Sequence, residues 1–297
     1  MSNPSTVEKT ISYIFLILVG VLLASPFLYM ISIALASDAT TVKSAFTFIP
    51  MEFQWSNFYT IFTNNNLGTY LKNSIIITVF TIIGSVLSAS IVSYGFARIK
   101  ARGSRFLFIV LLSTMMIPGE VTMVPQFIIF RHLDWINTFY PLIVPSFFAG
   151  AFNVFLIRQF VMSIPKSLDE AAMIDGMGHP GIYWKIIMPL TYPILAAIAI
   201  FSFSYNWGNF IGPLIYINDP EKMPLALGVQ LLTTVGGGQM PPWNLVMIAS
   251  LFLTIPMVLV IYSDNVMSMK QILAEAAAVS SNENGIARCY LTCVAPM

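Results

Sequence analysis

Six stretches of this chain are apolar enough to be read as membrane crossings, and that reading dictates the fold class before any motif is considered. A segment in hydrocarbon must pair all of its own backbone amides, so a helix of about 20 mainly apolar residues is needed to cross. The first runs from Ile11 to Leu35 without a charged side chain, and the second from Asn73 to Ala97, bracketed by Lys72 and Arg98. The third, 106–119, breaks at Pro118-Gly119-Glu120, after which apolar residues resume to Phe130. The remaining three are 140–157, 186–205 and 245–262, with Pro145, Pro193 and Pro256 inside them. A proline removes one backbone bond, so such helices are expected to pack against protein. Ala34-Leu35-Ala36 mimics a leader cleavage site, but the apolar run exceeds a leader's roughly 7–15 residues and Glu8 and Lys9 cancel. The predicted fold is therefore an all-α polytopic membrane bundle of six transmembrane helices.

Composition agrees, with 57% hydrophobic and 9% charged residues. A net charge of +1 argues against a nucleic-acid partner, which would demand a concentrated basic face. Cys289 and Cys293 lie too close together to staple a fold, and no nearby His completes a metal set. Placement of the few charges is more telling. Arg98, Lys100, Arg102 and Arg105 cluster after the second segment, and Lys and Arg mark the cytoplasmic side. This orientation collects ten of the 14 Lys and Arg residues inside, with both termini, leaving Lys43, Lys72, Arg131 and Lys222 outside. The expected organisation is a cytoplasmic N-terminus (1–10), a transmembrane domain (11–265) and a cytoplasmic tail (266–297). Trp55, Trp135, Trp207 and Trp243 fall near segment ends, as interfacial anchors do.

Between the fourth and fifth segments lies a polar loop with the grammar of a short helix. Ser167 and Glu170 have capping-box spacing, Asp169 suits the positive helix end, and Gly176 supplies a left-handed stop. A helix of two turns does not persist alone and must dock on something. Ala171 and Ala172 make its middle narrow, while Glu170 and Asp175 can meet cations on a partner. A plain surface connector is the competing reading of the same residues.

Glu170-Ala171-Ala172, three residues, Gly176, nine residues, Ile186, one residue and Met188-Pro189 resembles the cytoplasmic motif of the membrane permeases of ATP-binding-cassette importers, with Met188 where the family has Leu. Met116 to Pro125 and Asn206 to Tyr216 resemble the second permease of the maltose-type sugar branch, and the likeness covers roughly residues 10–265. The resemblance implies a bacterial inner-membrane permease pairing with a second, homologous permease as a heterodimer. It further implies two cytoplasmic ATPase subunits, an external solute-binding protein and a sugar substrate. Glu170, Ala171, Ala172, Asp175, Gly176, Ile186 and Pro189 are then the ATPase-docking residues of a coupling helix. The chain has no phosphate loop, so ATP and Mg belong to partner subunits and no cofactor or metal is expected here. Ser268 to Met297 departs from the Gly-rich tail usual in this branch, and Glu275-Ala276-Ala277 lacks the rest of the motif.

A solute pathway needs polar groups at membrane depth facing the bundle interior. Candidates are Asn153, Ser202, Tyr205, Asn206, Trp207 and Asn209, with Phe201 and Phe210 as aromatic neighbours, and Glu120 as the one acid between apolar segments. Each also fits interfacial anchoring, helix contacts or the outer water boundary. His132 and His179 fall in loops, no catalytic constellation is visible, and the chain reads as a transport subunit rather than an enzyme. Two readings compete with the ATP-driven importer: an ion-coupled carrier, which would want acids at the membrane midplane, and a scaffold that transports nothing.

Overall fold

The computed structural model describes residues 6–37, 53–234 and 241–263. Lys43, both cysteines and the 268–297 tail lie outside them. The described residues form helices and connecting turns, with no strand among them. Four helices are long and apolar enough to cross a membrane singly: Val7–Ala34, Leu67–Arg98, Tyr140–Ser163 and Trp243–Ser263. Two bent pairs, Ser104–Thr114 with Gly119–His132 and His179–Leu190 with Tyr192–Trp207, meet the same requirement together, which brings the number to six when each pair is counted as one broken span.

The bends have local causes. In the third span the helix stops at Thr114, and the chain turns by 98° through Met115 to Pro118. Pro118 has an extended ψ of 138°, so the Gly119–His132 helix starts in a new direction. In the fifth span, Pro189 and Pro193 flank Thr191, where the axis turns by 75°. The fourth span is interrupted too. A 3₁₀ turn at Val144–Phe147 gives way to Ala149 in a left-handed conformation (φ 51°), and a fresh helix, Ala151–Ser163, begins after Gly150.

The second span, Leu67–Arg98, organises the rest. Its buried face is a file of small and hydroxyl residues, among them Ser74, Thr78, Thr81, Gly84, Ala89, Ser90 and Ser93. Such residues let helix backbones approach closely and hydrogen-bond across the contact. A Cβ on Gly84 would sit 2.7 Å from Phe147 Cδ2 and overlap Ser146 Oγ, so only glycine admits this turn of the fourth span. Ser88 Oγ accepts from Ala149 N at 3.2 Å and shares its one hydrogen between the Gly84 carbonyl of its own helix at 2.6 Å and the Ser146 carbonyl at 3.1 Å. It thereby pairs backbone groups that the break would leave bare in lipid. Five residues on, Ser93 Oγ shares its hydrogen between the Ala89 carbonyl of its own helix at 2.5 Å and the Val154 carbonyl at 3.0 Å.

Two apolar clusters result. One joins the second span to the fourth and fifth around Val154, Ile157, Val161, Ile182, Ile187 and Ile198. The other lies toward the opposite end and gathers Ala34, Ile61, Leu67, Tyr70, Trp207 and Ile248. The first span touches the bundle through this second cluster at its end, where Asn57 Nδ2 donates to the carbonyls of Ala34 (3.1 Å) and Ala36 (2.9 Å). The apolar side chains from Ile11 to Leu23 of that helix are largely uncovered by the other described residues.

Candidate functional site

The loop helix spans Ser167–Ile174 and ends where Gly176 adopts φ 80°, the left-handed stop its sequence calls for. Its start differs from the capping-box expectation. Lys166 is the N-cap, no side-chain cap bond forms, and Ser167 is already helical, so its hydroxyl is misplaced to receive the orphan N–H groups.

What holds the helix is a charge. Asp169 and Ala172, one turn apart, face inward and are buried. Asp169 Oδ2 lies 2.8 Å from Nε of Arg98, the last residue of the second span, with side chains 8% and 4% exposed. The N–H is not directed along this contact, which makes it a close ion pair rather than an aligned hydrogen bond. The aligned bond goes from Arg98 Nη2 to the Ile164 carbonyl at 2.9 Å. One guanidinium therefore fixes both the entry to the loop helix and its first turn.

The chain after Gly176 returns to the same span. Tyr94 OH lies 3.2 Å from His179 Nδ1, and Ser90 Oγ lies 2.7 Å from Tyr183 OH. The Tyr94 and Tyr183 rings meet at 5.4 Å between centroids. Here Tyr183–Ile187 is wound as a π-helical turn, which carries Ile182 and Ile187 into the core and leaves Trp184 and Lys185 outside. Packed on its inner side, the loop helix presents an outer stripe: Leu168, Ala171, Ile174 and Asp175 at helical spacing, with Glu170 and Met173 beside it, all exposed. Ile174 is 87% exposed, an apolar side chain that none of the described residues covers.

Of the sequence-derived docking residues, Glu170, Ala171, Asp175 and Gly176 are thus outward, Ala172 inward, Ile186 half-buried against the core and Pro189 exposed. Arg98 and Asp169, which position the helix, and Tyr94 and Ser90, which hold the chain that follows it, are not among the docking residues the sequence singles out. Only the buried pair Asp169 and Ala172, three residues apart, leaves a trace in the sequence pattern, and its partner is far away along the chain.

The pathway candidates divide. Asn153 is half-buried just beyond the break in the fourth span, and its amide has no hydrogen-bond partner among the described residues. Phe152 and Phe201 meet at 6.2 Å, which brings the fourth and fifth spans together there. One turn further, Tyr205 is 75% exposed. Ser202 is buried and its carbonyl accepts from Asn206 Nδ2 at 2.8 Å, while Asn209 Oδ1 accepts from Gly212 N at 3.1 Å. Trp207 is turned inward: its indole N–H donates to the Leu253 carbonyl at 2.9 Å and its ring stacks on Phe203. Glu120 is exposed in the first turn of Gly119–His132. An apolar cleft of about 670 Å³ between the second, fifth and sixth spans offers hydrogen-bonding side chains only at Tyr192 and Ser263, too few to hold a polar solute.

At the end opposite the loop helix, residues 211–233 fold over the second span. Asn73 Nδ2 donates to the carbonyls of Glu221 (2.9 Å) and Met223 (3.0 Å), and Ser74 Oγ accepts from Leu225 N at 2.7 Å. Tyr216 packs among Phe127 and Phe130, and burial pushes its phenol above the usual value.

Residues 86–267 match the family described as binding-protein-dependent transport system inner membrane component. The chain is 32% identical to the arabinooligosaccharides transport system permease protein AraQ of Halalkalibacterium halodurans, across 84% of this chain and 88% of that one. It is 29% identical to the polygalacturonan/rhamnogalacturonan transport system permease protein YtcP of Bacillus subtilis, across 84% and 90%. Its fold superposes on a chain from the crystal structure of a bacterial ABC transporter involved in alginate import with TM-score 0.77 and 22% identity, covering 89% of this chain and 98% of that one. The matched family region takes in the loop helix, the basic cluster before it and four of the six spans, and this chain belongs to the binding-protein-dependent transport inner membrane components, the permease subunits of ATP-binding-cassette importers.

Proposed function

We propose that this permease forms half of the translocation pathway for a sugar or oligosaccharide and receives the force of ATP hydrolysis through the loop helix. The observation that carries the coupling role is the two-sidedness of Ser167–Ile174. Its inner side is pinned to the second span by Arg98, while its outer side exposes an apolar and acidic stripe. A short helix with such a face is seated when a partner's groove covers it. The partners proposed are two cytoplasmic ATPase subunits, which hold ATP and Mg, a second homologous permease and an external solute-binding protein. The membrane is the bacterial inner membrane, with both termini in the cytoplasm, as the Lys and Arg bias supports.

The sugar assignment draws on the names of AraQ and YtcP, and the relatives also include an sn-glycerol-3-phosphate permease, UgpE of Yersinia pestis, at 29% identity. Asn153, Phe201 and Tyr205 are the residues best suited to line the route, since an unpaired amide beside aromatic faces is the chemistry that holds a sugar. Family membership sets aside the ion-coupled carrier and the idle scaffold.

The test is uptake and ATP hydrolysis in the assembled importer carrying Glu170→Lys or Ile174→Asp. We expect uptake to fall at least tenfold by loss of a charged or buried contact at a protein interface, with the variant still folded in the membrane. Full ATP-coupled transport in both variants would overturn the docking role.

A further inference from the structure

A second site lies beside the loop helix and is unlike it in charge. A cleft of about 880 Å³ opens between the inner ends of the second, third and fourth spans. Six cations line it, Arg98, Lys100, Arg102, Arg105, Arg158 and Lys166, and no acidic residue does. Among the described residues Arg98 alone is partly neutralised, by Asp169. Lys100, Arg102, Arg105 and Lys166 form no ion pair among the described residues. Like charges gathered without a counter-charge repel one another, so the arrangement gains most when an anion enters.

Buried donors point the same way. Arg98, 4% exposed, has its Nη1 without a partner, and so has Arg158 Nε, while the Arg158 guanidinium lies 4.1 Å over the Phe108 ring. Neither nitrogen is reached by solvent, so what each guanidinium adds to the cleft is positive charge left uncompensated by the described residues.

The cleft's wall says what carries that oxygen. Along one helix of the third span, Arg105, Phe108, Ile109 and Leu112 follow at helical spacing and all line the cleft, so its lining changes from basic to apolar within one turn. Ile109 is 55% exposed, and beside it Phe106 and Val110 are exposed as well, so this wall continues onto a bare apolar surface at membrane depth. A soluble anion would use the basic half alone. A ligand that uses both halves has a phosphate head and a hydrocarbon tail.

We infer that this cleft is a binding site for an anionic glycerophospholipid of the inner leaflet, its phosphate among Arg98, Arg102, Arg105 and Arg158 and an acyl chain along Phe108, Ile109 and Leu112. Basic pockets between spanning helices on the cytoplasmic side bind such head groups by the same combination of charge and burial. The inference rests on the orientation proposed above and is independent of the solute carried.

Native mass spectrometry of the full chain, titrated with phosphatidylglycerol and phosphatidylcholine, tests it. Phosphatidylglycerol should bind in preference to phosphatidylcholine. R102Q/R105Q should weaken its binding by roughly fivefold per cation removed, whereas R102K/R105K should retain it and so exclude a folding defect. Unchanged phosphatidylglycerol binding in R102Q/R105Q would overturn the site. So would full displacement of the lipid by inorganic phosphate, which would assign the donors to a free anion, or by an added ATPase subunit, which would assign them to a protein contact. Sugar uptake in phosphatidylcholine membranes, measured separately, reports on the transport reading alone.

Discussion

The first and second spans have nearly the same hydropathy and opposite fates. None of the most apolar window of Val7–Ala34 is buried inside the protein, against 33% of that of Leu67–Arg98. Hydrophobicity sends both into lipid, but in lipid it gives no reason for one helix to seek another. What separates them is the pattern of small and hydroxyl residues. The second span carries Gly84, Ser88, Ser90 and Ser93 along its packed face, each filling a named contact. Ser88, Ser90 and Ser93 bond carbonyls of their own helix as well, whereas on the first span Ser12 and Ser25 bond such carbonyls alone among the described residues, those of Glu8 and Leu22. A helix apolar all round, and bare of the other described residues along most of its length, is left with a face open to lipid or to a second permease.

The contrast is most severely tested at Arg98. Arg98→Ala should destabilise the chain by about 3–5 kcal/mol, because it strands Asp169 as a buried, uncompensated charge, and thermal unfolding in detergent would measure the loss. Replacing both partners with apolar residues, R98M with D169L, should recover much of it. A smaller loss, about 1–3 kcal/mol, is expected of Gly84→Val, whose side chain would be driven into Ser146 and Phe147. Leu18→Ala in the first span should change the isolated chain's stability by less than about 0.5 kcal/mol, since the side chain is exposed among the described residues. A drop as large as that of Gly84→Val would erase the contrast between the two helices.

Much of the bundle was readable in the residues because a membrane imposes length and hydropathy on every crossing. Pro118 marked the break in the third span, and Gly176 the end of the loop helix, since each has one conformational meaning. The Arg98–Asp169 pair was not readable. Arg98 counts as one more basic residue at a span end, and Asp169 as one more acid in a helix's first turn, until the fold joins them. Trp207 was hidden differently. Position at a span end suits both a pathway aromatic and a packed one, and only the Leu253 carbonyl decides that its indole faces protein. The capping pair of Ser167 and Glu170 had the right spacing but lost to a start one residue earlier, where Lys166 ends the turn.

The attachments of the second span also decide where movement can occur. Arg98 grips the loop helix, Ser93 and Ser88 grip the fourth span on either side of its break, and Asn73 and Ser74 grip the outer cap. At a rise of about 1.5 Å per residue its 32 residues make a beam roughly 48 Å long. A beam clamped at so many points does not flex between them. A push at the loop-helix end would then arrive at the opposite end as a tilt of the whole, with a stroke set by where the fulcrum lies and not by the compliance of any joint along it.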